Sequence, residues 1–132
     1  MKVLIVEDDF ISRLLLQNLL IPYGEVHIAV DGKEALDAVG QAFKENKPYD
    51  LICLDIMMPE MDGQIALKQI REMEKEKGIQ GPQETKVLMT TALDDPKNVF
   101  EAYYKGGASS YLVKPVDKAK LERELQALGL IG

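Results

Sequence analysis

The chain has 132 residues, a length suited to one compact domain, with 46% hydrophobic and 29% charged side chains, an ordinary globular balance. Sixteen basic against twenty-two acidic residues give a net charge of −6, which argues against nucleic acid as a partner because phosphates need a positive footprint. A single cysteine excludes an internal disulfide framework and suits the reducing cytoplasm, and no run approaches the roughly 20 apolar residues of a membrane span.

Short apolar runs alternate with longer amphipathic ones. Val3-Leu4-Ile5-Val6 reads as a strand buried on both faces of a parallel sheet. Ile11, Leu14, Leu15, Asn18 and Leu19 then follow helical spacing, closed by Pro22 and Gly24. Val26, Ile28 and Val30 alternate as an edge strand would. Asp31 with Glu34 resembles a capping box opening a helix with Ala35, Ala38, Val39, Ala42 and Phe43 inward, weakened by Gly40. Leu51-Ile52-Cys53-Leu54 predicts a second buried strand ending at Asp55, and a loop through Pro59 and Gly63 leads to a helix from about Gln64 to Glu76. Lys68, Arg71, Lys75 and Lys77, mixed with acids on that helix, read as a solvated face. The polar stretch from Gly78 to Glu84 is a surface loop, and Val87-Leu88-Met89 is a third buried run. Asp95-Pro96 predicts a helix start and Gly106 its stop. Tyr111-Leu112-Val113 is the last strand, and Asp117 opens a final helix with Leu121, Leu125 and Leu128 facing in.

Five strands alternating with five helices predict a single α/β domain over residues 1–132, a parallel sheet covered by helices on both faces, with no effector domain. Ligands of such sheets bind outside the carboxyl ends of the strands. There the sequence places Glu7-Asp8-Asp9, Asp55, Thr90-Thr91 and Lys114-Pro115, although Glu7 and Lys114 lie far apart in the chain. Converging carboxylates repel unless a cation joins them, and a hard dication such as Mg2+, held by oxygen ligands, fits. Lys114 would meet a phosphoryl oxygen as a point charge, Thr91 would donate a hydrogen bond, and Asp55 would serve as the oxygen nucleophile. Each residue alone has a plainer role: a helix cap, a surface charge, a turn. Their joint placement at four strand ends is what describes a phosphoacceptor.

The stretches Val3–Asp9, Leu54–Gly63, Val87–Ala92 and Gly107–Pro115 resemble response regulator receiver domains of two-component systems, including the stand-alone chemotaxis type. The resemblance covers essentially the whole chain. It implies a flavodoxin-like (βα)5 fold with strand order 2-1-3-4-5. It further implies that Asp55 accepts a phosphoryl group from a histidine kinase phosphohistidine. Glu7 and Asp8 would bind Mg2+ together with Asp55 and the backbone carbonyl of Met57, leaving Asp9 as helix cap. Thr91 corresponds to the switch hydroxyl, Tyr111 to the aromatic that reorients with it, and Lys114 to the lysine on the phosphoryl group, with the Lys114–Pro115 bond cis. Output would leave through the surface of the fourth predicted helix, the last strand and the last helix, where Phe100, Tyr103, Tyr104 and Tyr111 lie. The expected partners are a sensor histidine kinase or phosphotransfer protein and a downstream protein, with a monomer or a phosphorylation-dependent dimer as the working form.

Three other readings compete. A phosphatase of the haloacid dehalogenase type would carry an acid–base aspartate two positions after its nucleophile, where this chain has Met57. A flavin-binding protein would need a phosphate cradle where Glu7-Asp8-Asp9 would repel phosphate. The third is a receiver-like interaction module that is never phosphorylated, against which the intact acceptor, acidic pair, hydroxyl and lysine argue. His27, the only histidine, reads as structural, and Cys53 as an inert core residue; Met57, Met58 and Met61 read as packing.

Met57 and Leu93, two positions beyond Asp55 and Thr91, are apolar where the family tunes loss of the phosphoryl group to water. Met57→Asn and Leu93→Glu are therefore expected to shorten the lifetime of the phosphorylated form, read as the dephosphorylation rate; an unchanged rate would refute that role.

Overall fold

The computed structural model describes residues 1–56, 58, 63–91 and 107–132. The helix expected between Asp95 and Gly106, and the residues Met57, Pro59, Met61, Ala92, Leu93, Phe100, Tyr103 and Tyr104, lie outside them. In chain order the described elements are β1 (Lys2–Val6), α1 (Phe10–Leu20), β2 (Glu25–Ala29), α2 (Gly32–Lys44), β3 (Leu51–Asp55), α3 (Gly63–Glu76), β4 (Lys86–Thr91), β5 (Ser110–Val113) and a C-terminal helix (Lys118–Ala127). Short 3-10 turns follow α1 and precede β4.

All strand pairs are parallel and run in the order β2-β1-β3-β4-β5. The two-residue alternation of side chains splits the core. Leu4, Val6, Ile52, Leu54, Val87 and Met89 pack with α2 and α3. Val3, Ile5, Leu51, Cys53 and Leu88 turn to the opposite face, against Leu16 and Leu20 of α1 and Leu121 and Leu125 of the C-terminal helix. Burial on both faces is why β1 and β3 are almost uniformly apolar.

Aspartates open three of the helices. Asp9, Asp31 and Asp117 accept the backbone N–H of Ser12, Glu34 and Lys120 at 2.9, 2.8 and 2.7 Å. Each satisfies a donor that the first helical turn would leave unpaired. Glu34 completes its capping box one residue further back than usual, accepting from the Val30 N–H at 2.9 Å.

Two expectations are corrected. The stripe marked by Ile11, Leu14 and Leu15 faces outward; Ile11 is 69% exposed and Phe10 61%, while Leu16 and Leu20 enter the core. The helix is apolar nearly all the way round, so periodicity alone cannot choose its inner face. Arg71 is likewise not part of a solvated face, although Lys68, Lys75 and Lys77 are exposed. Its guanidinium donates to the buried Glu74 carboxylate at 2.6 Å, to the Thr85 carbonyl at 2.8 Å and to the Gly107 carbonyl at 3.0 Å. Glu74 also accepts the Thr85 N–H at 2.7 Å, so this pair ties α3 to the entrances of β4 and β5.

Glu74 is buried and Arg71 partly so, with their hydrogen bonds made, so Glu74→Ala is expected to cost about 3 kcal/mol of unfolding free energy. Gly40 in α2 has room for a methyl group, whose nearest neighbour would be Met73 Cε at 3.6 Å. Gly40→Ala should therefore raise stability by about 0.5–1 kcal/mol in the same denaturation measurement.

Candidate functional site at the carboxyl edge of the sheet

The strand registers decide what meets at the edge. Val6 pairs with Leu54, Asp55 with Thr90, and Thr91 with Val113, so the residues that follow emerge side by side. Glu7 extends β1 by one further bond, its N–H donating to the Ala29 carbonyl at 3.1 Å. The Lys114 N–H does the same for β5, donating to the Thr91 carbonyl at 2.7 Å. The Lys114–Pro115 peptide is cis, as expected.

Glu7, Asp8 and Asp55 each bring a carboxylate oxygen within 4.8 Å of the others. Glu7 and Asp55 are buried, whereas Asp8 is exposed. Lys114 Nζ stands 2.7 Å from Glu7 Oε1 and 3.4 Å from Asp55 Oδ1. Burial works against the lysine's charge, but the contact with Glu7 and the charges of Asp55 and Glu7 outweigh it and hold its pKa above the ordinary value. Among the described residues, three carboxylates and one ammonium sum to two negative charges. At this depth each close charge pair is worth about 4 kcal/mol, enough to make a dication the matching guest. Glu7 Oε1 is buried and already faces the ammonium, and a cation gathered by the three carboxylates would meet the same enclosed oxygens. The donor set, all oxygen and part exposed, fits Mg2+ rather than a softer metal.

Thr91 is buried at the end of β4, and Tyr111 on β5 is partly exposed. Asp9 caps α1 as expected, and the Ser12 backbone N–H that it accepts is the main cause lowering its pKa. His27 sits on the edge strand β2, in register with Leu4 of β1, with Nδ1 2.7 Å from the Tyr49 hydroxyl, a structural role. Met57 falls outside the described residues.

Two contributors escaped the sequence reading. Arg13 donates to the Glu7 carbonyl at 3.0 Å, bracing the acidic turn from one helical turn away. Its only signal was a basic residue in the first turn of a leucine-rich helix. Gly63 brings α3 against the end of β3, and a Cβ there would overlap the Asp55 carbonyl oxygen. A glycine eight positions after the acceptor was visible, but its reason was not.

A parallel α/β sheet with a cation-seeking acidic pocket and one lysine at its carboxyl edge defines a metal-dependent phosphoacceptor class. Comparison makes the assignment specific: residues 3–126 match the response regulator receiver domain, and the chain belongs to that family. It is 30% identical over 127 residues to the chemotaxis protein CheY of Bacillus subtilis, covering 96% of this chain and 93% of that one. The receiver domain of the histidine kinase CKI1 from Arabidopsis thaliana, complexed with Mg2+ and BeF3-, superposes with a TM-score of 0.77 at 31% identity, covering 96% of this chain and 89% of that one. The receiver domain of Ssk1 from Saccharomyces cerevisiae, co-crystallised with the histidine phosphotransfer protein Ypd1, gives a TM-score of 0.81 at 28% identity, covering 98% of this chain and 88% of that one. The chain spans only 9% of a further relative, the yeast osmosensing histidine kinase SLN1, so receivers of this kind occur both alone and inside longer proteins. Among the described residues no helix is long and apolar enough to cross a membrane.

Burial pushes the Cys53 thiol up to about 12, so little reactive thiolate forms. Cys53 is expected to resist alkylation at pH 8 in the folded protein and to react only after unfolding, as counted by intact mass.

Proposed function

We propose that Asp55 is the phosphoacceptor of a two-component phosphorelay, taking its phosphoryl group from a phosphohistidine. The observation that carries this reading is the gathering of Glu7, Asp8 and Asp55 within 4.8 Å, with Lys114 beside them, at the edge where such sheets bind ligands. In the transfer, an Asp55 carboxylate oxygen attacks phosphorus in line. The P–O bond forms as the P–N bond breaks, and the electron pair stays on the imidazole. Mg2+, when bound, neutralises charge on the phosphoryl oxygens and orients them. Glu7, Asp8 and Asp55 would hold it, with the Met57 carbonyl completing the set. Lys114 meets a further phosphoryl oxygen, and Thr91 donates its hydroxyl to another. Movement of Thr91 and Tyr111 towards the new charge then passes the event to the surface around β5.

The chain thus assists its own phosphorylation and the slow loss of the phosphoryl group, and acts on no separate substrate. An apolar groove of about 320 Å3 between Ile11, Leu15 and Leu16 of α1 and Pro115-Val116 ends at Glu7 and Lys114. Any donor whose histidine reaches Asp55 must cover this rim, and the outward Phe10, Ile11, Leu14 and Leu15 supply the apolar surface for it. A histidine kinase or phosphotransfer protein is therefore the expected donor, in the reducing cytoplasm that the buried Cys53 suits.

Incubation with Mg2+ and phosphoramidate should add one phosphoryl mass to the parent chain and none to Asp55→Asn. Adduct on the variant, or none on either chain, would overturn the assignment. Ile11→Glu with Leu15→Glu should slow transfer from phosphorylated Ypd1 at least tenfold, while loading by phosphoramidate stays within about twofold, a separation that interface charges produce.

A further inference from the structure

Arg13 is the one charged residue of α1, a helix otherwise built of apolar and neutral polar side chains. It sits at the end of the first turn, where unpaired backbone N–H groups already make the helix positive, so a cation there is disfavoured. It also stands beside a site that gathers positive charge. Two bonds to the neighbouring turn offset that cost. Arg13 Nη1 donates to the Glu7 carbonyl at 3.0 Å and to the Asp8 carbonyl at 3.5 Å. The guanidinium is itself steadied over the Phe10 ring, 5.5 Å from its centroid.

Residues 7–9 join the last bond of β1 to the start of α1 and carry two of the three gathered carboxylates. The two ligands are held very differently. Glu7 is fully enclosed, and its Oε2 accepts the Asp9 N–H at 3.2 Å. Asp8 is exposed, so packing does little to fix its carboxylate. Its direction is set instead by the two planar peptide groups on either side of its Cα. Those are the peptide groups whose carbonyls Arg13 meets. One guanidinium therefore restrains both backbone dihedrals of the ligand that burial leaves free.

We propose that Arg13 is a positioning residue for Asp8 and that, against the sign of its own charge, it strengthens binding of the dication. This rests on the metal-dependent reading above. A ligand whose backbone is already set loses less freedom when the cation arrives, and supports behind the ligands commonly carry about tenfold in metal affinity. Coulomb repulsion between guanidinium and dication pulls the other way. A positioning residue and a merely nearby charge thus differ in the sign of their effect.

The test is Mg2+ binding by calorimetry in the parent, Arg13→Met and Arg13→Lys. Methionine keeps an apolar stem beside Phe10 but removes the donors and the charge, and Mg2+ is expected to bind roughly tenfold more weakly. Tighter or unchanged binding would overturn the proposal. Lysine keeps the charge and a donor of similar reach, and should recover binding to within about threefold of the parent. A lysine no better than methionine would assign the loss to packing on Phe10 and overturn it as well. Amide hydrogen exchange of the metal-free chain gives a readout that needs no cation. The Asp9 N–H, which belongs to the peptide group after Asp8, should exchange roughly fivefold faster in Arg13→Met, with Ile5 and Cys53 in the sheet unchanged. Equal acceleration in the sheet would make Arg13 a general support of the fold and overturn the proposal. A parent that binds no Mg2+ would overturn the metal-dependent reading itself, whereas failure of the proposal alone leaves binding by the parent intact.

Discussion

Three carboxylates drawn to within 4.8 Å repel one another, and two of them are buried where water screens little. Lys114 answers part of that repulsion by standing between Glu7 and Asp55. The arrangement is stable only with positive charge in it. Under the proposed function, its reactivity would follow from that charge being incomplete. A site fully neutralised by the chain's own side chains would have no use for a metal or for the oxygens of a phosphoryl group. Almost every other feature of the molecule serves to hold these groups at this separation: the strand registers, the cap at Asp9, the brace from Arg13 and the close approach at Gly63.

The parallel sheet is what makes the convergence possible. Strands β1, β3, β4 and β5 run in the same direction, so their carboxyl ends lie along one edge, whatever the length of chain between them. The central strands are apolar on both faces, which leaves their ends as the place for charge. Glu7 and Asp55 are the first polar side chains after the apolar cores of β1 and β3, and they remain buried because flanking helices cover both faces. Burial in turn gives their charges force.

Much of this was legible in the sequence. The strands stood out because doubly buried strands are short, apolar and β-branched, and the site residues stood out because they follow those runs directly. Asp9, Asp31 and Asp117 announced their helices through local chemistry that needs no tertiary context. What stayed hidden depends on contacts between distant segments. The outer and inner faces of α1 are both leucine-rich, and only the neighbouring sheet selects Leu16 and Leu20. Arg71 and Glu74 look like one more exposed ion pair until Thr85 and Gly107 arrive from other elements. Gly63 looks like a loop residue until β3 is laid against it. The division of Lys114 between Glu7 and Asp55 is a matter of less than 1 Å, set by side-chain length, which spacing along a chain does not encode.

The apolar outer face of α1 has one more consequence. It lies on a helix that is already formed, capped at Asp9 and anchored through Leu16 and Leu20. A protein settling on it orders no loop and folds no segment, so little conformational entropy is lost on contact. Pre-organisation of this kind leaves more of the contact free energy available for binding, since less is spent on ordering. On the proposed reading, a phosphodonor would meet on α1 a surface whose shape is already set before contact.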